Sequence, residues 1–286
     1  MPEVIVNQKY LETHPSIEKS QLVDKLLYGV WSLPVFGSNQ WMPWMGTTGH
    51  KAMPSSISVN GKAIDIFAKP FTEGSNFMAG REFTNAGKVR SRNINTPGMI
   101  AIVDIDDYYS VLVGELLHYV EPFSARDMKF SLTDPRVYSP SDFLQDVLQA
   151  VADIHNKGVV HNDLHLGNLG HQFRKDHPPK IIFFDFEIAD ILSDHDLMLK
   201  NRGTFQSPDQ QEKLLRFEEK AVGDIGVFLA HLIMDDFPIK DDLLKVSAQL
   251  YLPHRKQSYG LMSVEQLHQM LTTRCISSLK SIKRNT

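Results

Sequence analysis

Apolar residues recur along the first half of the chain at helical spacing and then at strand spacing. Five of them between residues 16 and 30 fall on one side of a helix, which predicts an amphipathic helix there: Ile17, Leu22, Val23, Leu26 and Leu27. From Asn39 to Phe71 the pattern changes to short strands. Asn60-Gly61 separates two apolar runs and predicts a tight β-hairpin, because both turn positions favour positive φ. A helix over 75–89 follows, and then two strands, Met99 to Val103 and Ser110 to Leu117.

The second half of the chain is dominated by helical periodicity. Ser139 as N-cap and Pro140 at the first position begin a helix that Gly158 ends. Short apolar runs at Val159-Val160 and at Ile181 to Phe184 predict buried strands. Three further helices are predicted near 214–234, 240–250 and 264–280, and Ser263 with Gln266 forms a capping box for the last one.

These elements predict an α+β fold of two lobes. A helical extension covers residues 1–38. An antiparallel-sheet lobe with one main helix covers 39–118, and a mostly helical lobe covers 119–286. Pockets commonly form between such lobes, so a ligand is expected there.

Composition narrows the functional class. The chain has 286 residues, 42% of them apolar, and a net charge of −4, which argues against a nucleic-acid partner. The sequence has one cysteine, Cys275, which cannot form an internal disulfide, and this favours a reducing compartment. No apolar run is long enough for a membrane span, and no secretory signal is visible. We therefore expect a cytoplasmic protein, or one in the cytosol of a host cell if it is delivered there.

Two motifs carry the chemistry. Residues 161–168 have the form H-x-D-x-x-x-x-N, and Asp185-Phe186-Glu187 closes an apolar run. Asp163 can orient a hydroxyl and accept its proton, while Asn168 and Asp185 offer oxygen ligands to magnesium on a nucleotide triphosphate. The alternative is a loop rich in Asp and Asn that makes ordinary turns.

These residues resemble the protein-kinase-like superfamily over roughly residues 40–280. The resemblance implies ATP and Mg²⁺ as cofactors, with Mn²⁺ as a possible substitute. It also implies that Lys69 grips the nucleotide phosphates and pairs with Glu82, thirteen residues later on the predicted helix. Gly46 and Gly49 resemble a glycine-rich phosphate loop with one glycine missing, and a plain hairpin turn is the alternative there.

The same resemblance places the remaining nucleotide contacts. Backbone groups of Glu115 and Leu117 bind adenine, and Glu121 matches an acidic ribose-binding position. Gly114 stands at the gatekeeper position and is unusually small, whereas Phe67 is bulky where the family has alanine. One interpretation is that the bulky Phe67 side chain fills the space that the small Gly114 leaves. The other is that the assignment of these family positions is shifted by one residue.

The segment from Arg202 to Gln210 resembles the end of a protein-kinase activation segment. Thr204 then contacts Asp163, and Asp209 closes the segment in an ion pair with buried Arg255. The resemblance also implies that Asp224 braces the catalytic loop, and His161 is expected in the core, where it holds the loop backbone. These features favour an atypical serine/threonine protein kinase and therefore a protein substrate.

Other features depart from that family. Asn162, His165 and Glu187 are closer to aminoglycoside, choline and sugar kinases, so a small-molecule kinase is the alternative. A nucleotide-binding pseudokinase that acts as an interaction module is a third reading. A zinc site formed by His161, His165 and His171 is a fourth, although their spacing is not helical.

Overall fold

The computed structural model describes residues 3–31, 53–71, 76–105, 109–117, 120–122, 140–174, 177–204, 207–235, 237, 242–256 and 262–285. The chain divides into two compact units. The N-terminal unit holds Met1–His118 together with Asp185–Glu187, and the C-terminal unit holds Tyr119–Phe184 and Ile188–Thr286.

A five-stranded antiparallel sheet forms the N-terminal unit. Its strands are β1 (Glu3–Val6), β2 (Met53–Val59), β3 (Lys62–Phe71), β4 (Met99–Asp104) and β5 (Ser110–Glu115), in the spatial order β1-β4-β5-β3-β2. The predicted hairpin is present between β2 and β3. Asn60 and Gly61 form its two-residue turn with φ values of 52° and 74°, the left-handed conformation that such turns require.

Helices cover both faces of this sheet. Helices α1 (Gln8–Thr13) and α2 (Lys19–Trp31) supply Tyr10, Leu22 and Leu26 to a core on one face. Helix α3 (Asn76–Ser91) packs Ala79 and Ala86 on the other face, against Phe71 and Leu112. The alternation of side chains along β3 separates the two cores, since successive residues of a strand point to opposite faces.

The helical extension predicted over residues 1–38 also contains a strand, which the prediction did not include. Residues Glu3–Val6 form the edge strand β1, which pairs with β4. Asn7 donates two hydrogen bonds to β4, each 2.8 Å long: its backbone N–H donates to the Ile100 carbonyl, and its Nδ2 donates to the Met99 carbonyl. The extension is therefore part of the N-terminal unit.

The C-terminal unit is mainly helical, as predicted. Its helices are α4 (Pro140–Asn156), α5 (Asp194–Arg202), α6 (Pro208–Met234), α7 (Leu243–Tyr251) and α8 (Val264–Asn285). Two small antiparallel sheets accompany them: β6 (Val120–Pro122), β8 (Leu169–Arg174) and β9 (His177–Phe183) in one, β7 (Val159–Val160) and β10 (Asp190–Ile191) in the other.

Capping explains where two of these helices begin. The predicted capping box is confirmed, because Gln266 N–H donates to Ser263 Oγ at 3.2 Å and Ser263 N–H donates to Gln266 Oε1 at 2.8 Å. Helix α6 begins earlier than predicted, since Ser207 is its N-cap and Pro208 occupies the first turn.

Within the described residues, no helix is both long and apolar enough to cross a membrane.

Candidate active site

Lys69 lies at the centre of an acidic cluster in the N-terminal unit. Its Nζ is 2.7 Å from Glu82 Oε2, 3.0 Å from Asp185 Oδ1 and 3.8 Å from Glu187 Oε2. Strand β3 presents the lysine and α3 presents Glu82 on the same face of the sheet. Lys69 and Glu82 are both buried, so their charges are weakly screened by water.

The charges of this cluster shift the ionisation of its members. Burial lowers the pKa of Lys69, but Glu82 and Asp185 outweigh it and leave the pKa above its ordinary value. Burial raises the pKa of Glu82 to about 7 and Lys69 opposes the rise, while the negative charges of Asp185 and Glu187 add to it. Lys69 therefore stays cationic at neutral pH, as a phosphate-binding group requires.

The backbone around Asp185 is fixed by α3. Asp185 has a φ of 60°, a left-handed conformation that Asp and Asn adopt more readily than most residues. The next side chain, Phe186, is buried, and Asn85 Nδ2 donates to the Phe186 carbonyl at 2.9 Å. Sequence reasoning did not find Asn85, whose partner is 101 residues away.

The loop that carries Asp163 belongs to the C-terminal unit and is braced by Asp224. Both carboxylate oxygens of Asp224 accept backbone hydrogen bonds, from His161 N–H at 2.6 Å and from Asn162 N–H at 2.7 Å. The His161 ring hydrogen-bonds to the Phe184 carbonyl at 2.7 Å. Asn162 has a φ of 65°, and its Nδ2 donates to the Ile188 carbonyl at 2.9 Å. The loop backbone is thus held on both sides.

Asp163 is held by its neighbours in the same loop. Asn168 Nδ2 donates to the Asp163 carbonyl at 2.9 Å and to its Oδ2 at 3.2 Å, and His165 Nε2 lies 3.7 Å from the same Oδ2. Burial raises the pKa of Asp163. The hydrogen bond and charge of His165, together with His161 and Asn168, lower it by more, so this pKa lies below its usual range. Asp163 is therefore ionised at neutral pH and can accept a hydrogen bond from a hydroxyl.

Each of the two units carries side chains with oxygen donors of the kind that magnesium prefers. Asn168 donates both of its hydrogen bonds to Asp163 from Nδ2, and its Oδ1 is the atom that can serve as an oxygen ligand. Asp185 offers a carboxylate. Among the described residues, the His, Cys, Asp and Glu side chains close enough to share one cation are Glu82, Asp185 and Glu187. The three histidines considered for zinc do not form such a group in the described part of the chain.

A buried hydrogen-bond chain continues behind Asp224. His155 Nε2 lies 3.1 Å from Asp224 Oδ2, and His155 Nδ1 lies 2.7 Å from Tyr251 Oη. Burial lowers the pKa of His155 despite Asp224, so the ring is neutral and donates one hydrogen bond to the carboxylate. Tyr251 then donates to the other ring nitrogen. The sequence contained no signal for this chain beyond two polar residues in apolar helices.

The predicted ion pair between Arg255 and Asp209 is wrong. Arg255 donates to Glu218 instead, and to Asn156 Oδ1 at 2.8 Å. Asp209 is exposed in the first turn of α6. Glu218 lies nine residues further along the same helix, roughly 13 Å away at 1.5 Å per residue. Because α6 begins at Pro208, Asp209 is too near the helix start to reach the arginine.

Glu218 is also shared with a second cation. Lys200 Nζ, on α5, lies 3.4 Å from Glu218 Oε1 and is fully buried. Burial raises the pKa of Glu218, but Arg255 and Lys200 outweigh it and hold the pKa below its ordinary value. Burial and Arg255 lower the pKa of Lys200. This cluster ties α5 to α6 and was not found from the sequence.

The remaining predicted residues that the structure describes lie just after α5, at the end of β5 and in β6. Thr204 is exposed, its N–H donates to the Leu199 carbonyl at 3.3 Å, and within the described residues no hydrogen bond joins it to Asp163. Glu115 N–H donates to the Gly98 carbonyl at 2.8 Å, and Leu117 follows the end of β5. Glu121 lies in β6 opposite His171. Gly46 and Gly49 fall outside the described residues.

Comparisons with known proteins bear on the fold. No protein-family model matches the chain, and no curated protein sequence matches it. A solved structure described as "WaaP in complex with acyl carrier protein" is similar over 97% of this chain and 98% of that one, with a TM-score of 0.52 and 12% sequence identity. The likeness confirms the predicted α+β fold class: the chain has the protein-kinase-like fold of WaaP.

Proposed function

We propose that this chain is an ATP- and magnesium-dependent phosphotransferase that acts on a hydroxyl group. The observation that carries the proposal is the Lys69 cluster, in which a buried strand lysine meets Glu82 at 2.7 Å and Asp185 at 3.0 Å. Asp185 is 116 residues from Lys69 in the sequence, so the fold has assembled the three from distant parts of the chain. A cation held beside two acids suits a polyphosphate and its metal ion.

Each residue then has one role. Lys69 binds phosphate oxygens, and Glu82 holds Lys69 in place. Asp163, which is ionised at neutral pH, orients the acceptor hydroxyl and takes its proton. Asn168 Oδ1 and Asp185 would hold Mg²⁺, whose charge, when it is bound, offsets that of the phosphates. Asp224 positions Asp163 through the backbone of His161 and Asn162.

The lysine provides the first test. Lys69→Met removes the cation from the cluster, so we expect transfer of ³²P from labelled ATP to fall by at least about a hundredfold. Lys88→Met, which removes an exposed lysine from α3, is the matched control and should keep wild-type activity. Equal activity in Lys69→Met and wild type would contradict the proposal. Nucleotide binding without any phosphate transfer would instead favour the third alternative, a pseudokinase that acts as an interaction module.

The acceptor remains divided between two candidates. A protein acceptor rests on the resemblance of residues 202–210 to an activation segment. The pairing of Arg255 with Glu218 and not with Asp209 removes one reason for that choice. A small-molecule hydroxyl is supported by His165 beside Asp163 and by Glu187 beside Lys69. A panel of peptides, sugars, amino alcohols and aminoglycosides, scored by ³²P incorporation, distinguishes the two.

A further inference from the structure

Asn162, the residue before Asp163, binds one short segment of the chain with both hydrogens of its side-chain amide. Its Nδ2 donates to the Ile188 carbonyl and to Asp190 Oδ2, at 2.9 Å each. An amide NH₂ group has two hydrogens, so both donors of this side chain are used. The side chain of Asn162 is therefore fixed to this segment in two places.

Asp190 is itself held from two directions. Its backbone lies in β10 opposite Val160 of β7, the residue two positions before Asn162. Its side chain binds a cation on α6, since Lys220 Nζ donates to the same Oδ2 that accepts from Asn162. One carboxylate oxygen thus joins the loop to helix α6.

Helix α6 therefore reaches Asn162 by two routes. Asp224 accepts from the backbone N–H of Asn162 at 2.7 Å, whereas Lys220 reaches its side chain through Asp190. Lys220 and Asp224 are four residues apart in α6, so one face of the helix presents both. The helix thus restrains the main chain and the side chain of the same residue.

The backbone of Asn162 is in an uncommon conformation that needs such restraint. Its φ of 65° is left-handed, which asparagine adopts more readily than most residues but not by preference. A residue keeps such a conformation where the surrounding contacts hold it there. The backbone angles of Asn162 set the direction in which the chain continues, so they also set the position of the Asp163 carboxylate.

We infer that Asp190 and Lys220 are positioning residues for phosphate transfer, which hold Asp163 in place through the side chain of Asn162. This inference rests on the proposed phosphotransferase function. A displaced Asp163 would lose its alignment with the acceptor hydroxyl, and small displacements of this kind slow a reaction strongly. Lys69 and the other proposed nucleotide contacts would be unaffected. The effect should therefore fall on kcat and leave the KM for ATP unchanged.

Steady-state ³²P transfer measures kcat and KM in variants of this contact. Asp190→Ala should lower kcat at least about tenfold and Lys220→Met at least about threefold, with a KM for ATP within about twofold of wild type. Lys220→Arg keeps the cation and should retain most of the wild-type kcat. Arg216→Met is the matched control, because Arg216 lies four residues earlier on α6 and forms a similarly exposed ion pair with Glu212. Its kcat should equal that of wild type.

A comparison at Asn162 separates positioning from general support of the fold. Glycine adopts a φ of this sign without help from a side chain, whereas alanine does not. Asn162→Gly should therefore retain a higher kcat than Asn162→Ala. In the Asn162→Gly background, Asp190→Ala should lower kcat little further, because the side chain through which Asp190 acts is gone.

The outcomes separate the two proposals. Wild-type kcat in Asp190→Ala and Lys220→Met, an equal fall in Arg216→Met, or an undiminished loss when Asp190→Ala is added to Asn162→Gly overturns the positioning role alone. Urea unfolding checks that each variant is folded in the assay, and Lys220→Met carries the test if Asp190→Ala is not. The phosphotransferase proposal fails if wild type transfers no phosphate to any acceptor, and the positioning role then fails with it.

Discussion

At the scale of single residues, two buried cations each pair with an acid: Lys69 with Glu82, and Arg255 with Glu218. The Lys69–Glu82 contact was expected from the resemblance to the protein-kinase-like superfamily, and it joins a strand to the helix that follows it, thirteen positions further on. The partner of Arg255 was missed because the position of Glu218 depends on where α6 starts and how α6 packs. Spacing along the chain predicts local pairs, whereas distant pairs depend on the packing of whole elements.

A buried histidine makes stability depend on pH. Burial lowers the pKa of His171 from its ordinary value of 6.5 to about 4. The unfolded chain therefore takes up this proton at a higher pH than the folded chain does. The contribution of His171 to stability is complete above about pH 6.5 and is lost as the pH falls toward 4.

His171→Gln tests this dependence. Between pH 6.5 and 4, the free energy of unfolding of wild type should fall relative to the variant, by on the order of 2 kcal/mol. Urea unfolding at several pH values measures the difference. His195→Gln, at an exposed position on α5, should leave the wild-type slope unchanged. A constant difference between wild type and His171→Gln across this range would contradict the assignment.

At the scale of elements, the patterns that predicted helices and strands were local and mostly sufficient. The Asn60-Gly61 turn and the Ser263–Gln266 capping box are decided by a few adjacent residues, and both are present. Strand β1 escaped prediction because four residues carry little periodicity. Its place beside β4 depends on a partner about 100 residues away.

The corrected partner of Arg255 leads to a second prediction. Glu218→Gln would leave Arg255 and Lys200 buried without the carboxylate between them, so we expect a loss of about 3 kcal/mol in the free energy of unfolding. Asp209→Asn changes an exposed acid and should cost under about 1 kcal/mol. Urea unfolding compares the two. A larger loss of stability in Asp209→Asn than in Glu218→Gln would contradict the Glu218 pairing and favour the predicted Asp209–Arg255 ion pair.

At the scale of the whole molecule, the fold was predictable where the functional detail was not. The order of strands and helices along the chain predicted an α+β fold, and the resemblance of the motifs implied the protein-kinase-like type. The likeness to WaaP at 12% identity supports this fold. Such a fold needs the pattern of apolar positions more than particular residues. The acceptor depends on particular side chains outside this apolar pattern, so the sequence could not decide it.

The most direct measurement of the central claim is the rate of ³²P transfer from labelled Mg·ATP by wild type, Asp163→Asn and Asp153→Asn. Asp153 is an exposed acid on α4 that pairs with Lys157, and Asp153→Asn should leave the rate of transfer unchanged. We predict that wild type transfers phosphate and that Asp163→Asn is slower by about a hundredfold to ten-thousandfold. No transfer by wild type, or equal rates in wild type and Asp163→Asn, would contradict the account.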